Sequence, residues 1–272
     1  MTKKVEPYKG IAGIYEEIRP SYPDKLIEDI ICKTNLKAGD KLLDIGAGTG
    51  KSTIPFAEKG FSIDAVELGE DMAEILKDKC SAYPNVSIYV APFEEWNNPN
   101  GQKYDMIYSA QTFHWIDKNI KYKKCRELLK DDGYLVLFWY SPAEVGTDRT
   151  REMQKRIDLI VSKYVSRYSD KRGKPERREH DGVFKEDDRA REISSSGLFE
   201  LIEKINYTSE IQNNADQYLK AMKSVPAFAS VMDGLDEKLI DEIDKEIIDL
   251  INSYGGHIGT LFNYSLYIAR PV

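Results

Sequence analysis

Three glycines, Gly46, Gly48 and Gly50, fall within five residues between the apolar run KLLDI (41–45) and a helix-like stretch that reaches Glu58. Glycines in such a turn let the main chain take strained angles and let a ligand approach the backbone closely. Asp44, just ahead of them, reads as a cap that organises the turn. Glu67 stands 21 residues past Gly46, at the end of the next apolar run, SIDAVEL (62–68). A carboxylate there can accept both hydrogen bonds of a ribose diol. Farther on, His114 is a candidate general base near neutral pH. Its alternative reading is a structural pair with Trp115, the imidazole bonded to backbone.

Three ligands fit a glycine turn at a strand end. AGTGKS ends like GxxxxGK[ST], but the first glycine of that motif falls on Ile45, and no later strand ends in a magnesium-holding acid. A dinucleotide asks for GxGxxG, and Lys51 stands where the third glycine belongs. S-adenosylmethionine has no phosphate, so the turn need only accommodate an amino-acid end and a ribose. Glu67 serves the second and third alike; glycine spacing separates them.

The elements that must hold these residues alternate. KLLDI, SIDAVEL, VSIYVA (86–91), DMIYSA (105–110) and GYLVLFW (133–139) read as strands, the last started by the turn Asp132-Gly133. Helices are expected to Glu58, over 70–79 and near 118–129. The strands are continuous apolar runs, as in sheets covered on both faces. Strand–helix alternation predicts a parallel α/β sheet. Past Ser141 the rhythm breaks. Residues 148–168 read as helix, 169–186 as polar loop, 199–207 as a sixth strand, 214–254 as helical and 260–269 as a final strand. Within 214–254, Leu239, Ile243, Ile247 and Ile251 recur at i+4. The division expected is a helical arm or lid at 1–35, a core at 36–141, 198–210 and 258–272, and helical cap inserts at 142–197 and 211–257, packed over the open sheet edge as one cap.

Composition bounds the function. At 272 residues and 41% hydrophobic the chain can build a sizeable core, and no run of about 18 apolar residues implies a membrane span. The start MTKKVEPYKG lacks the apolar stretch of a secretory signal. Cys32, Cys80 and Cys125 are scattered and odd in number, which fits a reducing cytoplasm. His114, His180 and His257 lack the i, i+4 spacing of a helical zinc site, so no metal is expected. A net charge of −7 argues against a broad nucleic-acid footprint. The one basic stretch, 167–178, is diluted by acids and reads as a solvated loop or lid.

Taken in order, these segments resemble the class I S-adenosylmethionine-dependent methyltransferases, in the small-molecule branch that includes trans-aconitate methyltransferase-like proteins. LLDIGAGTG (42–50) resembles the first motif, AVELGEDM (65–72) the ribose segment and APFEEW (91–96) the adenine loop. YDMIYSAQTFHWID (104–117) resembles the fourth strand with its HW signature, and IRPSYP (18–23) an RPxYP element ahead of the core. The resemblance implies a Rossmann-like, doubly wound, mostly parallel seven-stranded sheet with a C-terminal antiparallel strand and a helical cap. It implies that Gly46, Ala47, Gly48 and Gly50 line the methionine and ribose end, and that Glu67 holds the ribose. Leu68, Met72 and Phe93 would pack on adenine, and Glu94 would reach its amine. Ala110 and Gln111 would sit beside the sulfonium, with Tyr15 and Arg19 folded over the cofactor. The adenine loop departs from the family: Ala91-Pro92-Phe93 lacks the usual acid.

What the resemblance implies is methyl transfer to a small-molecule acceptor, a carboxylate by likeness to the trans-aconitate branch. Competing readings are a non-catalytic S-adenosylmethionine-binding module and an RNA or protein methyltransferase using the basic stretch. Phe113, Trp115, Trp139 and Tyr140 are aromatic candidates for lining the acceptor pocket or for attracting the sulfonium through their ring faces, with ordinary packing as the alternative. Arg149, Arg151, Tyr164, Arg167 and His257 are candidates from the cap.

Overall fold

Successive side chains of a strand point to opposite faces, so Leu42 and Leu43, adjacent and both fully buried, require cover on both sides of their strand. The sheet supplies that. The computed structural model describes residues 9–143, 147–172, 186–224, 228, 232 and 235–272, without the side chains of 165–172 and 186–187. Among them β1 (Lys41–Ile45), β2 (Ser62–Glu67), β3 (Val86–Val90), β4 (Tyr104–Ala110) and β5 (Leu129–Pro142) run parallel. β7 (His257–Pro271) inserts antiparallel between β5 and β6 (Phe199–Asn214), giving the order β3-β2-β1-β4-β5-β7-β6. The chain moves outward from β1 to β2 and β3, then returns to lay β4 on the other side of β1. Open α/β sheets bind ligands outside the carboxyl ends at such a reversal.

Two buried clusters cover the faces. One joins Leu42, Met106, Tyr108 and Phe138 to Ile27 and Ile30 of α2 (Asp24–Thr34) and Leu76 of α4 (Glu70–Cys80). The other joins Leu43, Ile107, Leu135 and Leu137 to Cys125 of α5 (Lys121–Leu128) and to Ile193. The remaining helices are α1 (Ala12–Ile18), α3 (Thr53–Ala57), α6 (Asp148–Arg172), α7 (Glu186–Ser195), α8 (Ala215–Lys223) and α9 (Glu237–Ser253). A third cluster is built by Met153 and Ile157 of α6, Tyr218 and Leu219 of α8, and Ile243, Ile247 and Ile251 of α9, against Ile258 of β7. Of the i+4 apolar stripe of α9, Ile243, Ile247 and Ile251 are therefore buried, and Leu239 packs partly buried against them. Asn214 caps α8 through a reciprocal box with Gln217, and Asp236 caps α9 by accepting from the Leu239 N–H at 2.9 Å. No helix among the described residues is long and apolar enough to cross a membrane.

Several boundaries differ from the pattern reading. β5 starts at Leu129, not at the Asp132-Gly133 turn: Leu129 pairs with Tyr104 and Tyr134 with Met106, so the residues between are an irregularity inside the strand. β6 and β7 are longer than expected because they pair with each other from Phe199–Pro271 to Asn214–His257. The helix expected near 118–129 starts at Lys121, and the one after the glycines is only Thr53–Ala57. The expected helix 214–254 is interrupted: α8 ends at Lys223, and Leu235 and Asp236 are not helical. Of the expected loop 169–186, residues 169–172 continue α6, and most of the rest, with the basic stretch from 173 and His180, lies outside the described residues. α7, read as part of a helical insert, packs on the sheet instead: Ile193 joins Trp139 and Phe199.

Ile247 is fully buried in the third cluster. Ile247→Ala is expected to cost about 2–5 kcal/mol, read as a lower urea midpoint. An unchanged midpoint would mean that these helices are not packed as described.

Candidate functional site

At the carboxyl ends of β2, β1, β4 and β5 lies a cavity of about 350 Å³. Its floor is the glycine turn. Gly46 has φ +72°, and a Cβ there would lie 2.2 Å from the Thr112 side chain, whose hydroxyl donates to the Gly46 carbonyl at 3.2 Å. Gly50, at φ +86°, would put a Cβ 2.6 Å from Leu76. Both positions exclude side chains on backbone and steric grounds together. Gly46, Ala47 and Gly48 line the cavity; Gly50 does not, and Leu76 of α4 fills the space a side chain there would need.

Asp44 is fully buried beneath the turn and accepts from the hydroxyls of Thr53 at 2.8 Å and Ser52 at 3.2 Å. Burial pushes its carboxyl up to about 7, against the pull of these hydroxyls. Glu67 accepts the Gly48 N–H at 2.7 Å and the Gly69 N–H at 2.8 Å, one on each oxygen. Burial raises its carboxyl too, opposed by those N–H groups. A carboxylate oxygen has two lone-pair sites, so each keeps accepting capacity.

Leu68, Met72, Phe93 and Glu94 line the same side of the cavity as Glu67. The turn carrying Phe93 and Glu94 is held by one cation: the Lys124 ammonium donates to the carbonyls of Phe93 at 2.7 Å, Glu94 at 3.2 Å and Trp96. Glu94 also accepts the Asp117 N–H at 3.1 Å, joining this turn to the segment after β4. Trp96 is buried against Tyr89 and does not line the cavity.

Ala110 and Gln111 line the cavity at the end of β4. Gln111 has φ +61°, a conformation non-glycine residues rarely take. It is fixed by its N–H to the Phe138 carbonyl at 3.1 Å and its side-chain amide to the Tyr140 carbonyl at 2.9 Å. Strain of this kind persists where the surroundings over-determine it, and it gathers at functional sites.

α1 closes one wall with Tyr15. Lys51 donates to the Glu16 carbonyl at 2.8 Å, and Lys79 pairs with the Glu16 carboxylate at 2.9 Å. Burial opposes the charge on Glu16, but Lys79, Thr49 and Lys51 outweigh it and hold the carboxyl low. Gly10 donates to Asp71 at 2.7 Å, and Lys220 of α8 pairs with Glu17 at 2.6 Å. Arg19 does not line the cavity; its guanidinium lies 5.6 Å from the Tyr15 ring centre.

His114 does not line it either. It sits in a separate recess with Trp139, Lys121, Arg189 and Glu192. Its Nδ1 accepts from the Trp139 indole at 3.2 Å, a side-chain partner where a backbone one was expected. Burial first, then Arg189 and Lys121, push the imidazole down to about 4. Of the four aromatic candidates, Trp115 and Tyr140 line the cavity; Phe113 and Trp139 line the recess. The cap candidates are elsewhere: Tyr164 donates to Glu246 at 2.6 Å, Arg151 pairs with Asp148, Arg149 lies over Tyr254, and His257 stays beside Gly255. The Arg167 side chain is outside the described residues.

Pattern reading missed Thr112, Asp71, Tyr22 and the role of Lys51. Tyr22 belongs to IRPSYP, a segment that stood out, but only the fold brings it to β5. Lys51 was read as a missing glycine; it is the residue that ties α1 to the turn. Nothing local marks Lys124.

Residues 42–133 match the family described as methyltransferase domain. The chain is 32% identical over 132 residues to an uncharacterized methyltransferase of Mycobacterium tuberculosis, covering 48% of this chain and 51% of that protein. It is 28% identical over 133 residues to a protein of Saccharomyces cerevisiae assigned as an S-adenosylmethionine-dependent methyltransferase, covering 48% and 45%. The chain spans about half the length of the curated relatives it matches. Among solved structures, one from Anaeromyxobacter dehalogenans, assigned as a type II methyltransferase, superposes with a TM-score of 0.61 at 19% identity, covering 93% of this chain and 97% of that one. That likeness establishes the Rossmann-like methyltransferase fold.

The Asp44 carboxyl is raised in the folded chain from an unfolded value of about 3.9. Protonation therefore favours the fold, and the stability it adds below about pH 4 is lost as pH climbs to about 7. Asp44→Asn removes that slope. Urea midpoints taken from pH 4 to 7 should show the wild type losing ground to the variant; parallel curves would place the titration elsewhere.

Proposed function

We propose that this chain, which carries a methyltransferase domain at residues 42–133, transfers a methyl group from S-adenosylmethionine to a small-molecule acceptor. The observation that carries the reading is Glu67: its two oxygens, each with a remaining lone-pair site, stand on the cavity wall beside Gly48, where a Cβ would meet nothing within 4 Å. A ribose diol fits that pair of acceptors and that bare backbone. Leu68, Met72 and Phe93 offer apolar contact for adenine, with Glu94 at its edge. Gly46 and Ala47 border the methionine end, and Ala110 and Gln111 the sulfonium. We read residues 1–35 as a lid over the donor and the helices of 142–197 and 211–257, α7 excepted, as a cap joined to that lid through the Lys220–Glu17 pair.

When bound, S-adenosylmethionine supplies a methyl already activated by a positive sulfur. The chain then has to hold donor and acceptor in line, and orientation of this kind is worth about 7–11 kcal/mol. Gln111, fixed by two hydrogen bonds at the end of β4, and Tyr15, fixed through α1, are placed to do so. His114 turns away from the cavity to Trp139, so our reading assigns it support of the Trp115 segment rather than proton transfer. The carboxylate acceptor implied by the trans-aconitate branch would look to Lys9 and Lys51, the lining cations among the described residues, and Lys51 is already engaged by Glu16.

Calorimetry with S-adenosylmethionine, NADH and ATP tests the donor. S-adenosylmethionine alone should bind, and Glu67→Ala should weaken it about thirtyfold or more, the worth of about 2 kcal/mol for a hydrogen bond to a charged group. Binding of NADH or ATP instead would sink the reading. Lys124→Met should loosen the Phe93–Trp96 turn, raising the KM for S-adenosylmethionine several-fold while kcat holds. Equal losses in both would mean that Lys124 serves more than that turn.

A further inference from the structure

The cavity crosses four strand ends in sheet order, and its two ends differ in chemistry. Toward β2 stand the carboxylates of Glu67 and Asp71. Lys9 belongs to this end as well, because the next residue, Gly10, is bonded to Asp71. Toward β5 the wall is aromatic. Tyr140 lies near the end of β5, and Tyr22 packs beside it with ring centres 6.1 Å apart. Both rest on Tyr264, at 6.0 and 6.2 Å. Tyr15 of α1 completes the wall, close enough for its hydroxyl to act electrostatically on that of Tyr22. The face of an aromatic ring is negative and attracts positive charge, and walls of such rings suit ammonium groups.

Resting on the reading of S-adenosylmethionine as donor in this cavity, we propose that the Tyr15, Tyr22 and Tyr140 wall is the acceptor subsite and that the acceptor is a secondary or tertiary amine. The amine lone pair forms the new N–C bond as the C–S bond breaks, and that bond's electron pair stays on sulfur as a neutral thioether. Positive charge thus moves from sulfur to nitrogen, along a wall that stabilises it at either place. A tertiary amine ends as a quaternary ammonium with no proton to lose. A secondary amine releases its proton to water after transfer.

This acceptor suits the groups around it. Burial, with the neighbouring tyrosines, raises the Tyr22 hydroxyl well above its ordinary range, so it keeps its proton at neutral pH. Tyr22 is thus no base, and an amine that attacks as the free base needs none. The protonated amine has no lone pair to offer, and the positive charge of the donor in the same cavity opposes its entry. The reactive form is the free base.

The full chain with S-adenosylmethionine would be given N,N-dimethylbenzylamine, its 4-nitro analogue, 4-methylphenol and propane-1,2,3-tricarboxylate, and thioether release followed. The amines should turn over at least tenfold faster than the others. The pH midpoint of kcat/KM should move between the two amines by the difference in their own pKa values. Tyr140→Leu should lower kcat/KM for the amines about tenfold, as loss of a ring–cation contact does. Tyr140→Phe, which keeps the ring, should lose markedly less than Tyr140→Leu; equal losses in the two variants would overturn the ring–cation contact. A phenol or carboxylate as the faster substrate, a midpoint common to both amines, or donor binding with no amine turnover would each overturn the acceptor class and leave the donor standing. Failure of S-adenosylmethionine to bind would overturn the reading beneath it.

Discussion

A buried carboxylate holds the mouth of the sheet together. Asp44, next to last in β1, has no exposure, and it accepts the hydroxyls of Ser52 and Thr53, the residues that open α3. That closes a loop around Gly46, Gly48 and Gly50, so the turn cannot open without stranding a buried acid. Such a group is costly unless its hydrogen bonds are made, and α3, only five residues long, cannot fix the turn by itself. The second edge of the turn is Thr112, which bonds the Gly46 carbonyl and fills the space a side chain would need. The turn is thereby locked between β1 and the segment after β4, where the strand order reverses.

Periodicity made the inner sheet legible. β1, β2 and β4 are buried on both faces, so their sequences are unbroken apolar runs, and pattern and burial carry the same information. The outer ribbon was legible only in part. β6 alternates strictly between exposed and covered residues along its length. That covered set is set by pairing with β7, a partner more than forty residues away in sequence. The strand therefore ran past the point where its apolar residues thin out. The place of α7 is hidden in the sequence for a related reason. Its composition is that of a polar insert, and one fully buried residue, Ile193, decides where it packs.

The site was legible where chemistry is local. Glycines at a strand end and an acid at the next strand end are spaced by the backbone itself, and they meet across β1 and β2, which pair directly. Contacts made by long side chains from remote elements leave no such mark. Lys124 reaches three carbonyls about thirty residues away, and Lys51 reaches back to α1. Lysine is common on helix surfaces, so neither position announces what it holds.

His114 shows how a residue type can mislead when its direction is unknown. The 3-10 turn Phe113–Trp115 sends neighbouring side chains to different places: Trp115, 62% exposed, to the cavity mouth, and His114 to the recess beneath Trp139. There the imidazole must be neutral to accept the indole N–H, and burial together with two nearby cations keeps it so. A histidine poised for proton transfer needs the opposite, a value near the working pH and a path to substrate. The same three residues thus divide their labour: one ring is spent on anchoring the turn, and that anchor sets where the other ring stands. The histidine therefore matters to the cavity through the backbone it fixes.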